Sequence, residues 1–494
     1  MNTKIQPLSA GNAPTADEHK STLPIKPIPG CYGIPFISPI KDRLDFYYFQ
    51  GNEPFFTTRI KKYDSTVFRT NMPPGPFMAS NPRVIAVLDA ASFPVLFDVS
   101  KVEKKNVFTG TYMPSTSLTG GYRVCSYLDP SEANHTRVKQ LLFDLLASRK
   151  SFVIPSFQSS YSAMFDEMEK QVAASGESDF NKLNDDTGLD FLGDAYFGTK
   201  LSATAVGSSG PTKAAKWLIF SLTPLVTLGL PKIIEEIFLH TFPLPPFLVK
   251  RDYKSLYEYF RKAAGPALDR ADELGLSREE ATHNLLFATV FNSYGGLKVL
   301  FPSLLASIAK AGPTLHSRLA EEVRAAVEAE GGKLTLAGIE KMELVKSVVY
   351  EALRIDPPVK FQYGKAKKDL VIESHDAAFE VKKGEMLFGF QPLATKDEKV
   401  FVNASEFVGD RFVGEDGKKL LKYVYWSNGF ETESPTVGNK QCAGKNFVVL
   451  VARLLVVEFF LRYDTFTGDV STNLLGVEVK VKSLTKAGQL YSFV

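Results

Sequence analysis

Cys442 stands in the frame Gly438-Asn439-Lys440-Gln441-Cys442-Ala443-Gly444, and an apolar helical pattern follows at once. A cysteine just ahead of a helix can receive backbone N–H groups and the positive end of the helix dipole, and both favour the thiolate. The flanking glycines let the backbone pass close to something flat and bulky. A cysteine taken alone is more often a small buried hydrophobe than a ligand. The frame around Cys442 is much more specific than that. The other cysteines, Cys31 and Cys125, lie near no further cysteine, and the six histidines are scattered with no His-x-x-x-His pair. Zinc-type spacing is therefore missing. A bound metal would need one protein ligand plus a prosthetic group.

A second pair of interest is Glu351-Ala352-Leu353-Arg354. Charges three apart on a helix share a face. Such a pair is ordinarily a solvated ion pair worth little. Here it lies in the apolar helix VKSVVYEALRIDPPV, which predicts burial with a further partner, and Arg411 in EFVGDRF is the candidate.

The elements that must position these residues are mostly helical. Apolar spacing predicts helices in HTRVKQLLFDLLASR, SYSAMFDEMEKQVAA, YKSLYEYFRKAAGPALDRADEL, SREEATHNLLFATVFNSYGG, LHSRLAEEVRAAVEAEGG, LAGIEKMELVKSVVYEALRI and KNFVVLVARLLVVEFFLRY. Short β-rich pieces occur at 66–98 and again at 370–390, so the fold class is mainly α with small β-sheets. Leu23 to Pro39 is Pro- and Gly-punctuated and reads as an extended strap. Residues 202–213 read as a flexible surface loop. The apolar segment 217–250 is interrupted by Pro224, Pro231, Lys232, Glu235 and Glu236 before it could span a membrane. It reads either as a buried helix pair or as a lip resting on lipid.

Composition narrows the function. With 494 residues and 44% hydrophobic content the chain can bury a large core. A formal charge of +3 provides no field for nucleic acid, so no nucleic-acid partner is expected. Three cysteines point to a reducing compartment rather than a disulfide scaffold. The polar start reads as a disordered tail over 1–22 ahead of a single domain over 23–494, with no signal peptide, transit peptide or membrane anchor. The expected location is cytoplasmic or peripheral to a membrane, with contact through 217–250.

Glu-x-x-Arg on a helix, a later Arg-Phe after a turn, and Gly-x-x-x-Cys-x-Gly opening a long helix together resemble the cytochrome P450 fold. The resemblance implies haem b held between the long central helix and the Cys-ligand loop, with the Cys442 thiolate as axial ligand. It also implies that Glu351, Arg354 and Arg411 form a structural triad. Monooxygenases of that superfamily usually carry Phe seven residues before the cysteine, where this chain has Pro435, and the preceding stretch SNGFETESPTV is longer than usual. They also carry an acid–Thr pair in the central helix, to protonate bound dioxygen. The matching helix here reads Phe287-Ala288-Thr289-Val290-Phe291-Asn292-Ser293-Tyr294-Gly295-Gly296-Leu297-Lys298 and has no such pair. An already oxidised substrate is implied.

The phrases NVFTGTYMPSTSLTGGYR, SREEATHNLLFATVFNSYGG and PTVGNKQCAGKNFVVLVARL resemble the plant allene oxide synthase and hydroperoxide lyase branch, over nearly the whole chain from Ile25. The resemblance implies that Phe108 faces the substrate radical and that Asn292 bonds the hydroperoxide. Lys298 would lie towards the substrate. Lys104, His135, Lys139 and Lys440 would surround the haem propionates; His135 and Lys139 are four apart and share a helix face. Lys360 and Phe361 stand at expected pocket positions. The implied reaction dehydrates 9- or 13-hydroperoxides of C18 polyunsaturated fatty acids, without dioxygen, NADPH or a redox partner protein. Phe291-Asn292-Ser293 resembles the synthase form, whereas lyases more often have Ala at the Ser293 position. A hydroperoxide lyase, a divinyl ether or epoxyalcohol synthase, a reductase-dependent monooxygenase and a non-catalytic carrier are the rival readings.

Overall fold

The computed structural model describes residues 21–108, 110–473 and 476–488, so the tail expected over 1–22 falls almost wholly outside the described residues. The helices that frame the molecule are α1 (Ala133–Ser148), α2 (Val153–Ser175), α3 (Phe180–Phe197), α4 (Gly210–Leu222), α5 (Lys250–Ala263), α6 (Arg278–Leu286), α7 (Gly295–Ala311), α8 (Pro313–Ala329), α9 (Glu343–Ile355) and α10 (Lys445–Arg462). Ser277 caps α6 by accepting from the Glu280 N–H at 3.1 Å, a Ser-x-x-Glu start that the sequence carries. No break separates α6 from α7. A π-helical stretch, Phe287–Tyr294, joins them, and both junction residues keep right-handed helical backbone. The two helices and the stretch between them form one rod. Helix α10 is buried on nearly every face, as its apolar text demands, and it packs against α2, α8 and α9.

The main sheet orders its strands β1 (Val67–Asn71), β2 (Arg83–Val87), β5 (Met386–Phe390), β4 (Phe361–Ala366) and β3 (Val102–Glu103). Only β2 and β5 run parallel. Strand β2 alternates: Ile85 and Val87 enter one small core, Val84 and Ala86 the other, so both faces of the sheet are covered. A C-terminal hairpin, β6 (Tyr463–Asn473) with β7 (Gly476–Lys486), follows α10 directly. β structure thus sits at both ends of the chain, as the sequence suggests.

Several expectations need correction. The stretch 253–274 is broken at Ala264, ahead of Pro266 in a second helix, Gly265–Glu273, because proline is accepted only near a helix start. The stretch 336–355 breaks at Met342. The strap from Leu23 pairs as bridges at Ile25 and Gly30, but a helix, Ile37–Leu44, begins before it ends. Residues 202–213 hold two short 3₁₀ turns and the first residues of α4, with Pro211 in its first turn.

The segment 217–250 is not a buried helix pair. After α4 it forms a helical run, Lys232–Glu235 then Glu236–Thr241, whose outer side leaves Ile233 76% and Phe238 59% exposed. Its inner side is pinned by a polar hub. His240 is fully buried, stacked on Tyr47 at 3.9 Å and within 3.0 Å of the Tyr48 hydroxyl. Glu236 pairs with Arg43.

Candidate active site

Cys442 lies three residues before α10. Its N–H donates to the Ser427 carbonyl at 3.2 Å, at the turn of a two-stranded hairpin, Tyr425–Trp426 with Gly429–Phe430. Its neighbours reach back to the same hairpin. Gln441 Nε2 donates to the Phe430 carbonyl at 2.6 Å. Lys445 Nζ donates to the carbonyls of Glu431 and Glu433. The Glu431 carboxylate in turn accepts from Tyr350 Oη at 2.7 Å and from Trp426 Nε1. The ligand loop is thus braced from both sides by the long stretch that precedes it. Burial pushes the Cys442 thiol up, while the Gly444 N–H and the Lys139 charge oppose that shift. The Gly444 N–H favours the thiolate, as expected from sequence, but burial outweighs it. Coordination to a metal would deliver the thiolate outright.

The triad forms as expected. Arg354 grips Glu351 through two bonds, Nε to Oε2 at 2.7 Å and Nη2 to Oε1 at 2.8 Å. Arg411 Nε reaches Glu351 Oε1 at 2.9 Å. Arg354 also donates to the carbonyls of Thr395, Ala404 and Glu406. The triad therefore ties α9 to the chain that leads into the ligand loop.

Lys104, His135, Lys139 and Lys440 come together as a cationic group, and none lies on the open surface. Lys104 (5% exposed), His135 and Lys139 are buried, while Lys440 is half-buried. Lys104 Nζ donates to the Tyr363 carbonyl at 2.6 Å. Lys139 Nζ binds both oxygens of Asn439, Oδ1 at 3.0 Å. Lys440 Nζ donates to the carbonyls of Cys125, Ser126 and Leu128, which makes Cys125 a backbone partner only. Burial and then the Lys440 charge bring Lys104 down to about 7. Burial, Lys440 and Lys139 bring His135 down to about 4, and burial brings Lys139 down to about 8. His135 Nδ1 has no hydrogen-bond partner. Three mutually repelling lysines withdrawn from the open surface beside Cys442, with a neutral His135 whose Nδ1 is orphaned, fit a dianionic ligand such as a haem with two propionates.

The π-helical stretch carries the other candidates. Asn292 is exposed between buried Val290 and Tyr294, and its amide has no side-chain partner among the described residues. Phe291 stacks on Phe287 at 4.5 Å and meets Phe108 edge-on at 6.0 Å. Phe108 is half-buried against Tyr127 at 5.9 Å. Ser293 Oγ bonds the Ala288 carbonyl at 3.0 Å and lies 3.2 Å from Tyr196 Oη. An apolar cleft alongside is lined by Leu118, Tyr127, Trp217, Phe220 and Phe287.

Three expected pocket residues have protein partners. Lys298 forms an ion pair with Asp185 on α3 instead of being left free for substrate, because a quarter-exposed ammonium takes the nearest carboxylate. Lys360 pairs with Asp356 at 2.9 Å, and Phe361 packs on Phe390 at 5.5 Å in the core beside the sheet. Asp89, His375 and Asp397 also converge. Their carboxylate oxygens are taken by the N–H groups of Ala90, Ala91, Ser92 and Lys399, by Thr66 and by His375 itself, which makes the cluster a structural junction. Sequence reasoning missed Tyr196, since a tyrosine on a helix it had not found gives no local signal.

Residues 281–474 match the cytochrome P450 family. Over 468 residues the chain is 64% identical to allene oxide synthase 2 of Oryza sativa subsp. japonica, covering 94% of this chain and 97% of that one. It is 58% identical over 488 residues to the chloroplastic allene oxide synthase of Arabidopsis thaliana, covering 98% and 94%. It is also 58% identical over 470 residues to the chloroplastic allene oxide synthase 2 of Solanum lycopersicum, covering 94% and 92%.

Proposed function

This chain belongs to the allene oxide synthases of the cytochrome P450 superfamily, and on that footing we propose that it dehydrates 9- and/or 13-hydroperoxides of C18 polyunsaturated fatty acids. The reaction balances without a co-reactant. The hydroperoxide becomes an allene oxide and water, the peroxide oxygen taking up the two electrons that the carbon chain gives. Neither dioxygen nor NADPH nor a redox partner protein is required. The haem, when bound at Cys442, supplies one-electron cleavage of the O–O bond and reoxidation of the carbon radical that results.

The protein supplies placement. Lys104, His135, Lys139 and Lys440 would hold the propionates. The unpartnered Asn292 amide donates to the hydroperoxide and fixes its distal oxygen. The apolar lining beside Phe287 and Trp217 suits an acyl chain in chemistry. The face of Phe108, steadied by Phe291, lies where positive charge develops on carbon and stabilises it, so oxidation outruns carbon–carbon scission. The observation that carries this reading is an amide in the centre of the rod, where a proton relay for dioxygen would otherwise stand.

Peripheral membrane seating through 217–250 belongs to the same reading, since the substrates partition into lipid. It is supported by the exposed apolar side of that segment. The test of function is product analysis by mass spectrometry with separate 9- and 13-hydroperoxides under anaerobic, NADPH-free conditions. Ketols from hydrolysed allene oxide are expected. Short aldehydes alone would make the protein a lyase, and a requirement for NADPH a monooxygenase.

A further inference from the structure

Ser293 is the residue by which the sequence separates synthase from lyase, yet its hydroxyl is committed to protein on both sides. It has one hydrogen, and that hydrogen goes to the Ala288 carbonyl at 3.0 Å. The 3.2 Å contact with Tyr196 Oη is therefore donated by the tyrosine. Tyr196 is 5% exposed, and Ser293 is the partner of its hydroxyl. A buried phenol without a partner is costly, so the bond constrains both ends. The Tyr196 ring is itself fixed, 5.0 Å from Phe447 on the helix that follows Cys442.

The Ala288 carbonyl lies five residues before Ser293, which is the spacing of a π turn and not of an α turn. An α-helix would spend that carbonyl on the Asn292 N–H. A serine hydroxyl freed from Tyr196 can swing to the carbonyl four residues back, at Thr289, as serines in helices commonly do. Losing one residue from the turn rotates everything after it by about 100° relative to what precedes it. Phe291 and Asn292 both lie inside the turn, so their aim depends on it.

We propose that Tyr196 is a positioning residue which, through Ser293, holds the π-helical turn and so aims Asn292 and Phe291 for dehydration in preference to chain cleavage. Both fates are redox-neutral conversions of the one hydroperoxide. Dehydration releases water, whereas cleavage rearranges the same atoms into a hemiacetal that falls apart to aldehydes. The proposal rests on the allene oxide synthase reading and names a residue in α3 whose hydroxyl meets Ser293 and whose ring meets Phe447.

Tyr196→Phe removes only the hydroxyl and keeps the ring against Phe447. Haem content and the thiolate-type ferrous–CO spectrum should stay as in the parent protein. The aldehyde-to-ketol ratio should rise about fivefold, the equivalent of one ordinary neutral hydrogen bond, in the same direction as Ser293→Ala. The double variant should go no further than either single one, because both act through one bond. Amide hydrogen exchange over 288–294 should quicken in Tyr196→Phe by a similar factor. An unchanged product ratio in Tyr196→Phe overturns the proposal, as do shifts that add in the double variant. Failure of the functional reading would look different, since the parent protein itself would yield no ketol.

Discussion

At the scale of single residues, Asn292 is where the chemistry is most exposed to test. Its polar neighbours in the central rod have protein partners: Ser293 has Ala288 and Tyr196, Tyr294 has the Asp185 carbonyl, Lys298 has the Asp185 carboxylate. The Asn292 amide has none among the described residues and is exposed between buried Val290 and Tyr294. On the function proposed above, that donor would be spent on substrate. Asn292→Ala should bind haem with a normal spectrum and lose turnover by about 10²-fold, the scale of a misplaced reactant. Stopped-flow loss of the conjugated-diene absorbance measures it. Parent-like rates would return Asn292 to a structural role in the π turn.

Two elements carry predictions of their own. In α9, Arg354 is wholly buried and serves Glu351 and three backbone carbonyls at once. Lysine keeps the charge but not the planar fork. Arg354→Lys should lower stability by about 3–5 kcal/mol, the range for breaking a buried pair, and should lose the thiolate-type spectrum, since the segment to Arg411 leads into the ligand loop. Denaturant unfolding and haem titration check both.

In α6, His283 is 5% exposed, accepts from Tyr253 Oη at 2.8 Å through Nδ1, and is held by burial down to about 4. It is neutral in the folded chain, whereas the unfolded chain protonates it below its ordinary value near 6.5. Stability is therefore unaffected by this group above pH 6.5 and falls as pH drops from there towards 4, by roughly 3 kcal/mol in all. His283→Gln should flatten that part of the stability–pH curve relative to the parent. Parallel curves would show that His283 is not the titrating group.

The elements also show what could be read in advance. Cys442, the Glu351–Arg354–Arg411 triad and the helices with clean apolar spacing were legible because their signals are local and strong. Helix α3 was not. Its text, FNKLNDDTGLDFLGDAYF, is rich in Gly, Asp and Asn, which are poor helix formers. Packing reverses that preference: a Cβ on Gly193 would come within 2.7 Å of the Thr199 carbonyl and of Tyr259 Oη, so a small residue is demanded by the neighbours. The π turn was equally hidden, because it rests on Tyr196, about a hundred residues away in the chain and brought in by that same helix. The ion pair of Lys298 was hidden for a related reason, its partner Asp185 also being on α3.

At the scale of the whole molecule, two distant segments build one apolar face. The start of the helix Ile37–Leu44 leaves Ile37 and the preceding Phe36 (77%) exposed, while the run after α4 exposes Ile233, Ile237 and Phe238. They are held side by side by Arg43–Glu236, by the Tyr47–His240 stack, and by the Gly75 N–H to the His240 carbonyl at 2.7 Å. Phe77 stacks on Phe242 at 4.8 Å across the same junction, and the Lys232 ammonium lies 5.0 Å over Phe49. A polar hub that rigidly supports an outward apolar face is an arrangement for a surface that meets something other than water. Among the described residues no helix is long and apolar enough to cross a membrane; on the membrane seating proposed above, contact would be interfacial, with Lys232 at headgroup level. Replacing Ile233 and Phe238 together by Asp removes two mostly exposed apolar side chains and adds two charges. Co-flotation with neutral phosphatidylcholine vesicles should fall at least about tenfold, while turnover of hydroperoxide in detergent-free buffer stays near that of the parent. Equal flotation of the two proteins would mean that the face serves another purpose, and a matching loss of turnover would place these side chains in the path of the substrate.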